Sequence, residues 1–362
     1  MLSPLSRAGR NVNVSNQSGS QSETSIAVDP TNPFHLLASN NDLSLGSSTK
    51  LLKESTDGGK TWVVVTTGIT SFCYDTWLAF NSAGDAFMAY ECSDQRYAYR
   101  KVGQTTWTLT KFTIAGGFPD RDMMTIDRSA SSAFKNTAYI GYDDNGANNT
   151  AYLLYSRDGF TGWVRSPKIN DTSTTIGVNA ATAPDGTVYA TWEDYSGKKI
   201  WVDRSTNGGA SWGTDHVAHT FRINTSGFFI FIPPQNSRGV LPMPMTAVAP
   251  AGTANAGRLY VSYFDIGTSG SNTNIYVVYS DDGGTTWSAE AKINDDTVSA
   301  YHFHQAISVS PNGTVGVSFY DTRSDPGHGA QTCWSPPPHR TRPSAVIWAI
   351  STATIRAWTP AR

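Results

Sequence analysis

Short runs of alternating apolar and polar residues recur along the chain, separated by turns rich in Gly, Asn, Asp and Ser. The first unit contains four such runs, S-I-A-V, H-L-L-A-S, K-L-L-K-E-S and W-V-V-V, between Ser25 and Val65. Comparable units follow, as in T-A-V-A, R-L-Y-V-S-Y, I-Y-V-V-Y-S and W-S-A-E-A. Alternation with a period of two predicts half-buried β-strands. Each unit is therefore predicted to be a four-stranded antiparallel sheet with strands A to D.

One turn repeats between strands C and D of these units. S-T-D-G-G-K-T-W at Ser55 to Trp62 returns as S-D-D-G-G-T-T-W at Ser280 to Trp287. Weaker copies occur at Ser156 to Trp163 and Ser205 to Trp212, and a remnant at Arg100 to Trp107. The glycines tolerate positive φ, the Asp can accept backbone N–H bonds, and the Trp can cover the hairpin.

These repeats are Asp-boxes, and the chain resembles the sialidase-like superfamily of Asp-box β-propellers. The resemblance implies an all-β fold, a six-bladed β-propeller with Asp-box hairpins, as a single domain over residues 1–362. The expected blades are approximately 20–68, 72–115, 120–170, 175–220, 240–295 and 300–362, with an insertion at 220–244 and an irregular tail at 326–362. The structural box residues are Asp57, Asp158, Asn207, Asp282, Trp62, Trp163, Trp212 and Trp287.

Three segments depart from the repeat. N-V-N-V-S-N at Asn11 to Asn16 predicts a short strand. The insertion carries F-F-I-F-I-P-P and is either a lid over a site or a loop packed on its neighbour. After Asp325 the chain becomes proline-rich and basic. Either V-I-W-A-I at Val346 to Ile350 or the N-terminal strand could complete the sixth blade.

Composition excludes several classes of partner. The chain has 27 Lys and Arg against 29 Asp and Glu, a net charge of −2, which gives no footprint for nucleic acid or an anionic membrane. No apolar run is long enough to span a bilayer. A monomer is expected. The N-terminus lacks the apolar core of a signal peptide, and we expect an extracellular protein whose signal peptide is absent from this chain, because the superfamily is largely secreted.

The cysteines allow one disulfide. Cys73 and Cys92 flank a hairpin that turns at Asn81 to Asp85, so they should lie nearly opposite each other. They form either a disulfide or two buried thiols, and Cys333 has no evident partner.

Topology decides which face carries function. In a four-stranded meander the box turns and the A–B turns lie on one face, so the box acids are interpreted as structural. The opposite face collects the ends of the B strands and the starts of the A strands. An aromatic residue followed by an acid recurs there, which either caps loops or forms a site. The candidate catalytic residues are Asp122, Glu193, Tyr263, Asp75, His302 and His304. The candidate substrate-binding residues are Arg121, Arg323, Arg96, Asp265, Tyr320 and Asp321.

The resemblance implies glycosidic cleavage by a Tyr made nucleophilic by a Glu, with three Arg residues that bind a substrate carboxylate. Tyr263 or Tyr320 with Glu193 could supply the first pair, and Asp75 or Asp122 the acid. The sialidase F/Y-R-I-P motif is missing before the first box. The F-R-I-N at Phe221 to Asn224 has similar letters but lies within the insertion.

Two other functions stay open. His302 and His304 alternate and should face the same side, so that one of them with Tyr263 and Arg121 or Arg323 could serve a polysaccharide lyase acting on uronates. A non-catalytic propeller that binds glycans or protein is the third hypothesis. A metal held by His302, His304 and Asp321 lacks a further ligand. No cofactor is predicted, although the many loop acids could bind Ca²⁺.

Overall fold

The structure is a computed structural model that describes residues 12–17, 21–42, 51–112, 117–194, 196–223, 229–268, 270, 272–296, 299–323 and, as backbone, 350–355. Within these residues it is an all-β propeller, as predicted. Within the described part of the chain, the single helical element is the 3-10 turn Asn145–Ala147. No described helix has the length and apolarity needed to cross a membrane.

Five sheets have four antiparallel strands each. The first two contain β1 Gln21–Val28, β2 Leu36–Asp42, β3 Leu52–Ser55 and β4 Val63–Val64, then β5 Tyr74–Phe80, β6 Ala86–Glu91, β7 Gln95–Arg100 and β8 Thr108–Lys111. The next two contain β9 Pro119–Ile126, β10 Ala138–Asp144, β11 Thr150–Ser156 and β12 Val164–Arg165, then β13 Thr175–Thr182, β14 Val188–Asp194, β15 Lys199–Ser205 and β16 His216–Thr220.

The insertion forms a separate hairpin of β17 Ile230–Ile232 and β18 Gln235–Val240. The fifth sheet has β19 Met245–Val248, β20 Leu259–Ile266, β21 Thr273–Ser280 and β22 Ala291–Lys292. The last sheet has only three described strands, β23 His302–Val309, β24 Val315–Asp321 and β25 Ile350–Ile355.

Two expectations are corrected by this topology. Five sheets, not six, are complete four-stranded blades, because the chain after β24 contributes one described strand. That strand is Ile350–Ile355, which pairs antiparallel with β24. Residues 12–17 are not a strand, so the predicted N-terminal strand is wrong there. Residues 346–349 and most of the predicted tail lie outside the described residues.

The core lies between neighbouring sheets. The B strands β6, β10 and β14 are buried along their whole length, since a neighbouring blade covers each face. Phe87 of the second sheet clusters with Ile140 of the third, and Tyr139 of the third with Val188 of the fourth. Burial on both faces explains why these strands carry almost continuous apolar residues rather than strict alternation.

The C–D turns are stitched by their Asp side chains. Asp282 Oδ1 accepts from the Thr286 N–H at 2.9 Å, and Asp282 Oδ2 accepts from the Thr286 hydroxyl at 2.6 Å. The Trp287 indole donates to Gly284 O at 3.0 Å. Asp57 and Trp62 repeat this pattern. Asp158 and Asn207 accept the equivalent backbone bonds, from the Thr161 and Ser211 N–H groups.

These turns lie at the end of the blade that also holds the A–B turn, since the Gly58 N–H donates to Phe34 O at 3.0 Å. The opposite end of the same blade pairs Gln21 with Asp42. The box acids are therefore remote from the starts of the A strands, as topology predicted.

A disulfide joins Cys73 and Cys92, with Cα atoms 4.3 Å apart. It ties the start of β5 to the end of β6, beside the paired residues Tyr74 and Glu91.

We predict that Asp282→Ala lowers the melting temperature by several degrees, because the Thr286 N–H and hydroxyl lose their acceptor. Asp281→Ala is the matched control. The Asp281 side chain is 59% exposed and pairs with Arg258 on the surface, an interaction worth about 0–1 kcal/mol. Thermal unfolding followed by circular dichroism measures both, and equal melting temperatures would contradict the structural role of the turn.

Candidate active site

Five inner strands share one backbone irregularity near their starts. Glu23, Asp75, Arg121, Gly177 and His304 have φ of 50°, 51°, 59°, 66° and 50°. A register shift brackets each of them, as between Ser22 and Ser25 or between Phe303 and Ala306. Each is therefore a β-bulge with a left-handed residue, a device that turns a side chain out of the regular pleat.

Four of these residues are not glycine, and a left-handed conformation costs a non-glycine residue about 1–3 kcal/mol. Such strain persists where the surrounding structure holds it, and it is concentrated at functional sites. The four side chains, Glu23, Asp75, Arg121 and His304, all carry ionisable groups. We call the end of the central axis where they meet the channel mouth.

Glu23 and Asp75 are linked by a buried amide. The Asn41 amide donates to Glu23 and, at 3.4 Å, to Asp75 Oδ1, while Asn41 Oδ1 accepts the Asp75 N–H at 2.9 Å. Glu23 also hydrogen-bonds with Asp75. Exclusion of bulk water and then the neighbouring Asp75 raise the pKa of Glu23 to about 8, against the opposing charges of Arg121 and Arg238.

Arg121 lies near two buried acids. Burial raises the pKa of Asp143 and of Glu193 well above their usual range, and the positive charge of Arg121 opposes both shifts. Asp143 Oδ1 accepts the Gly177 N–H at 3.3 Å. Glu193 is 1% exposed, so it cannot contact a ligand directly.

Asp122 points away from the mouth into the protein. It accepts a hydrogen bond from the Gln95 amide at 2.7 Å and hydrogen-bonds with Glu91. Burial raises the pKa of both carboxyl groups, and the charge of Asp122 raises that of Glu91 further. The pair therefore shares a proton that resides on Glu91. Asp122 is 2% exposed, which separates it from a substrate.

Three carboxyl groups could hold a cation near this pair. Asp75, Glu91 and Asp120 each offer an oxygen atom, and these atoms lie within 4.8 Å of one another. Oxygen ligands of this kind suit Ca²⁺. A proton on Glu91 relieves the same repulsion, so the arrangement is also explained without a metal, and Ca²⁺ binding stays a prediction.

His304, on β23, also lies at the mouth. His304 is accessible to water, but the protein around it excludes bulk solvent. This desolvation and the charges of Arg121 and Arg238 lower the pKa of His304 to about 4. Arg238 belongs to β18, so the insertion reaches the mouth, while Ile230, Ile232 and Val240 anchor it in the core.

His302 does not share this environment, which corrects the expectation that the two histidines face the same side. The bulge at His304 breaks the alternation. The His302 ring is fully buried, with Nδ1 2.8 Å from Thr273 O and Nε2 3.3 Å from both Asp296 and Asp321. It fastens the loop before β23 to the blade.

Tyr263 and Asp265 belong to another cluster. Tyr263 is fully buried, stacks on His219 with ring centroids 4.1 Å apart, and donates to Glu290 at 3.2 Å. Burial and Glu290 raise the pKa of Tyr263 far above its usual range. Asp265 accepts bonds from Arg222 and His219, each at 3.0 Å. Arg222 is the arginine of the F-R-I-N sequence.

The remaining predicted residues divide between the two regions. Arg96 pairs with Asp94 at 2.6 Å, and Arg323 pairs with Asp321 and Asp295. Tyr320 lies beside the mouth, with its ring 6.0 Å from that of His304. The structure thus brings together Asp75, Arg121, His304 and Tyr320, with the buried Glu193 near Arg121. The other predicted residues lie elsewhere: Tyr263, Asp265, His302, Arg96 and Arg323.

The sequence interpretation did not assign roles to Glu23, Asn41, Glu91 or Arg238. Glu23 could have been found by aligning the inner strands, because it stands two residues before the buried Ser25, as Asp75 stands two before Trp77. Arg238 offered no such signal.

A cleft of about 550 Å³ lies on the opposite, box face. Its lining includes Tyr189, Arg204, Arg258 and Asp281. The Arg258 guanidinium is already paired with Asp281, and Arg204 donates to the Asp282 and Gly283 carbonyl groups. The cleft is therefore remote from the strained residues, and its charged groups serve the turns.

Similarity to solved structures supports the fold. The Hadza microbial sialidase Hz136 matches with a TM-score of 0.55 and 16% identity over 82% of this chain and 63% of that chain. The NanB sialidase from Streptococcus pneumoniae matches with a TM-score of 0.57 and 10% identity over 88% and 67%. The α-L-arabinofuranosidase Arb93A from Fusarium graminearum matches with a TM-score of 0.54 and 13% identity over 93% of both chains.

The chain has the fold of the sialidase-like β-propellers. No protein-family profile and no curated protein sequence matches it. It spans less than two thirds of the length of the Hadza microbial sialidase.

In this propeller, alanine should destabilise the strained positions more than glycine does. We predict that Glu23→Gly and His304→Gly are each about 1 kcal/mol more stable to unfolding than Glu23→Ala and His304→Ala, because only glycine adopts positive φ without a Cβ clash. At Ile26, an exposed position of regular β1, the order should reverse. Urea titration measures all six, and the same order at every position would refute left-handed bulges.

The buried acids of this propeller make stability depend on pH. Asp143 and Glu193 keep protons in the folded state that the unfolded chain releases above pH about 4. The free energy of unfolding should therefore fall as pH rises from 5 to 8, by at most about 1.4 kcal/mol per pH unit for each proton. Asp143→Asn with Glu193→Gln should make the profile less steep, while the other buried acids keep part of the slope. Stability that rises over this interval would contradict protonated burial.

Proposed function

We propose that this propeller is a glycoside hydrolase that cleaves a glycosidic bond in the channel mouth, on the face opposite the Trp-containing turns. One observation carries the proposal. Glu23 presents an exposed carboxyl group whose pKa is raised to about 8, beside a second carboxyl group on Asp75. Glycosidic cleavage needs a proton donor at working pH and a negative group near the sugar carbon.

The division of labour follows from the contacts. Glu23 donates its proton to the glycosidic oxygen, and the bond from the sugar carbon to that oxygen breaks with its electron pair on the oxygen. The negative charge of Asp75 stabilises the positive charge that develops on the sugar carbon. Water then adds to that carbon and returns a proton to Glu23. Asn41 contacts both carboxyl groups and fixes their separation.

Among the residues that the structure describes, the mouth has two arginines instead of the three that bind the substrate carboxylate in sialidases. Arg121 and Arg238 reach it, whereas Arg323 and Arg96 pair with acids elsewhere. The tyrosine paired with a glutamate, Tyr263, is buried between blades. These arrangements favour a hydrolase that shares the sialidase-like scaffold and acts through carboxyl groups.

One observation favours a polysaccharide lyase as the second candidate. His304 has a pKa lowered to about 4, so it is a neutral base at physiological pH, and Arg121 and Tyr320 lie beside it. Arginine could neutralise a uronate and tyrosine could protonate the leaving group. The lyase would produce an unsaturated sugar that absorbs ultraviolet light, and the hydrolase would not.

We also infer the finer features of the scaffold. The four stitched turns have the sequence and bonding expected of Asp-boxes. The three-stranded sheet would be the sixth blade, and Tyr320 hydrogen-bonds across to Thr24 of the first. The Cys73–Cys92 disulfide supports an oxidising, extracellular location. A monomer without a required cofactor stays part of the proposal.

We predict that Glu23→Gln reduces kcat on aryl glycosides by at least a hundredfold with little change in KM, because the amide cannot donate the acidic proton. Activity of the wild type should fall as pH rises through about 8, where Glu23 loses its proton. Release of reducing sugar and of the aryl group measures both.

Asp281→Asn, on the box face, is the control and should keep wild-type activity. Retained activity in Glu23→Gln, or a pH limb near 4 that depends on His304, would contradict the hydrolase mechanism.

A further inference from the structure

We propose that Phe72, Phe118 and Tyr301 form an aromatic rim that seats an extended, neutral polysaccharide across the channel mouth. The inference rests on the proposed function for its location and goes beyond it by naming the class of substrate. It depends on three observations: a common position in the blade, exposure on rigid supports, and the charge beside the rings.

The three rings occupy equivalent positions. Each stands three residues before a bulge residue, with Phe72 before Asp75, Phe118 before Arg121 and Tyr301 before His304. Because the bulges are equivalent in their blades, the residues that precede them lie at the same end of the propeller, outside the four ionisable side chains of the channel mouth. The blades involved are the second, third and sixth, so the rim spans more than one side of the mouth.

Phe72 and Phe118 are exposed, whereas Tyr301 is half-buried and packs in part against the core. Phe72 is 43% exposed and Phe118 is 56% exposed. Large exposed apolar groups beside a polar cleft mark binding surfaces. The apolar face of a pyranose ring fits a planar aromatic side chain, and its hydroxyl groups fit the neighbouring acceptors.

The supports under the rings are rigid. The Phe118 N–H donates to Asp144 Oδ1 and Phe118 O accepts from the Asn145 N–H, both at 2.9 Å. Phe72 precedes the disulfide-bonded Cys73 and packs against Tyr74 with ring centroids 6.1 Å apart. The Tyr301 N–H donates to the Thr322 hydroxyl at 2.8 Å. Rigid aromatic side chains lose little entropy on binding, which favours affinity.

Charge selects a neutral chain. Asp75, Glu91 and Asp120 lie between the second and third blades, and Tyr74 next to Phe72 lies in their field. Of these, Asp75 and Asp120 repel the carboxylates of sialic acids and uronates, and all three acids can form hydrogen bonds with sugar hydroxyl groups. A protein partner would need a contiguous apolar patch, whereas each exposed ring here stands beside polar groups.

The test uses Phe72→Ala/Phe118→Ala in the full chain, in wild-type and Glu23→Gln backgrounds. Affinity electrophoresis in gels that contain arabinan, xylan, mannan or mixed-linkage glucan measures neutral binding. Polygalacturonate and polysialic acid are the acidic probes. We expect Glu23→Gln to be retarded by at least one neutral polymer, and the double variant to bind that polymer at least tenfold more weakly.

Two controls separate recognition from folding. Phe34→Ala removes a ring that is 58% exposed on the opposite face and should not change retardation. Phe72→Tyr/Phe118→Trp should retain it, because a planar ring is preserved. In the wild-type background, the alanine pair should raise KM for the polymer while leaving kcat/KM for a short aryl glycoside within about threefold.

The outcomes distinguish the two proposals. Unchanged polymer binding in the alanine pair, stronger retardation by the acidic polymers, or retardation by none of the polymers overturns the rim. Loss of binding in the alanine pair while wild type and Glu23→Gln both fail to cleave overturns the hydrolase and leaves the rim as the glycan site of a binding propeller.

Discussion

The left-handed bulge near the start of the inner strands is the constraint on which the rest of the site depends. A regular strand would send alternate side chains to the two neighbouring blades, where they would be buried. The bulge inserts one residue that belongs to neither face, and at Glu23, Asp75, Arg121 and His304 that residue is ionisable. Glycine occupies the fifth position, at Gly177, where a Cβ would also collide with Met243. The protein thus tolerates strain at four positions and thereby places four ionisable groups around one axis.

The two ends of each blade are held by different interactions. At the box end, short-range hydrogen bonds satisfy the turn within eight residues, as Ser280, Asp282 and Thr286 do, and glycines supply the positive φ. At the other end, charged groups of different blades depend on one another, as Glu23 does on Asn41, Asp75 and Arg121. The interactions at the first end are local in sequence, as suits a scaffold. Those at the second end join distant residues, as suits a site.

This difference explains what the sequence could reveal. Strand alternation and the turns are local, so the all-β propeller could be predicted from the repeats. Asp75, Arg121 and His304 were named because they stand at strand starts. The bulge is set by packing between blades, and alternation alone therefore placed His302 beside His304. Tyr263 was named for its residue type, but an inter-blade cluster surrounds it. The roles proposed for Glu23 and Arg238 depend on residues distant in the sequence, so a local pattern could not predict them.

The number of complete blades was also beyond what local sequence patterns could predict. Five units contain all four runs and form complete sheets, whereas the sixth depends on β25, which is separated from β24 by a proline-rich stretch without the repeat. Pairing of β25 with β24 could not be deduced from a local pattern.

A crystal structure of Glu23→Gln soaked with a neutral oligosaccharide tests the central claim most directly. The account predicts a sugar ring in the channel mouth, with its glycosidic oxygen within hydrogen-bonding distance of residue 23 and positive φ at residues 23, 75, 121 and 304. Sugar bound instead in the cleft of Arg204 and Arg258, or regular strand geometry at these four residues, would contradict it.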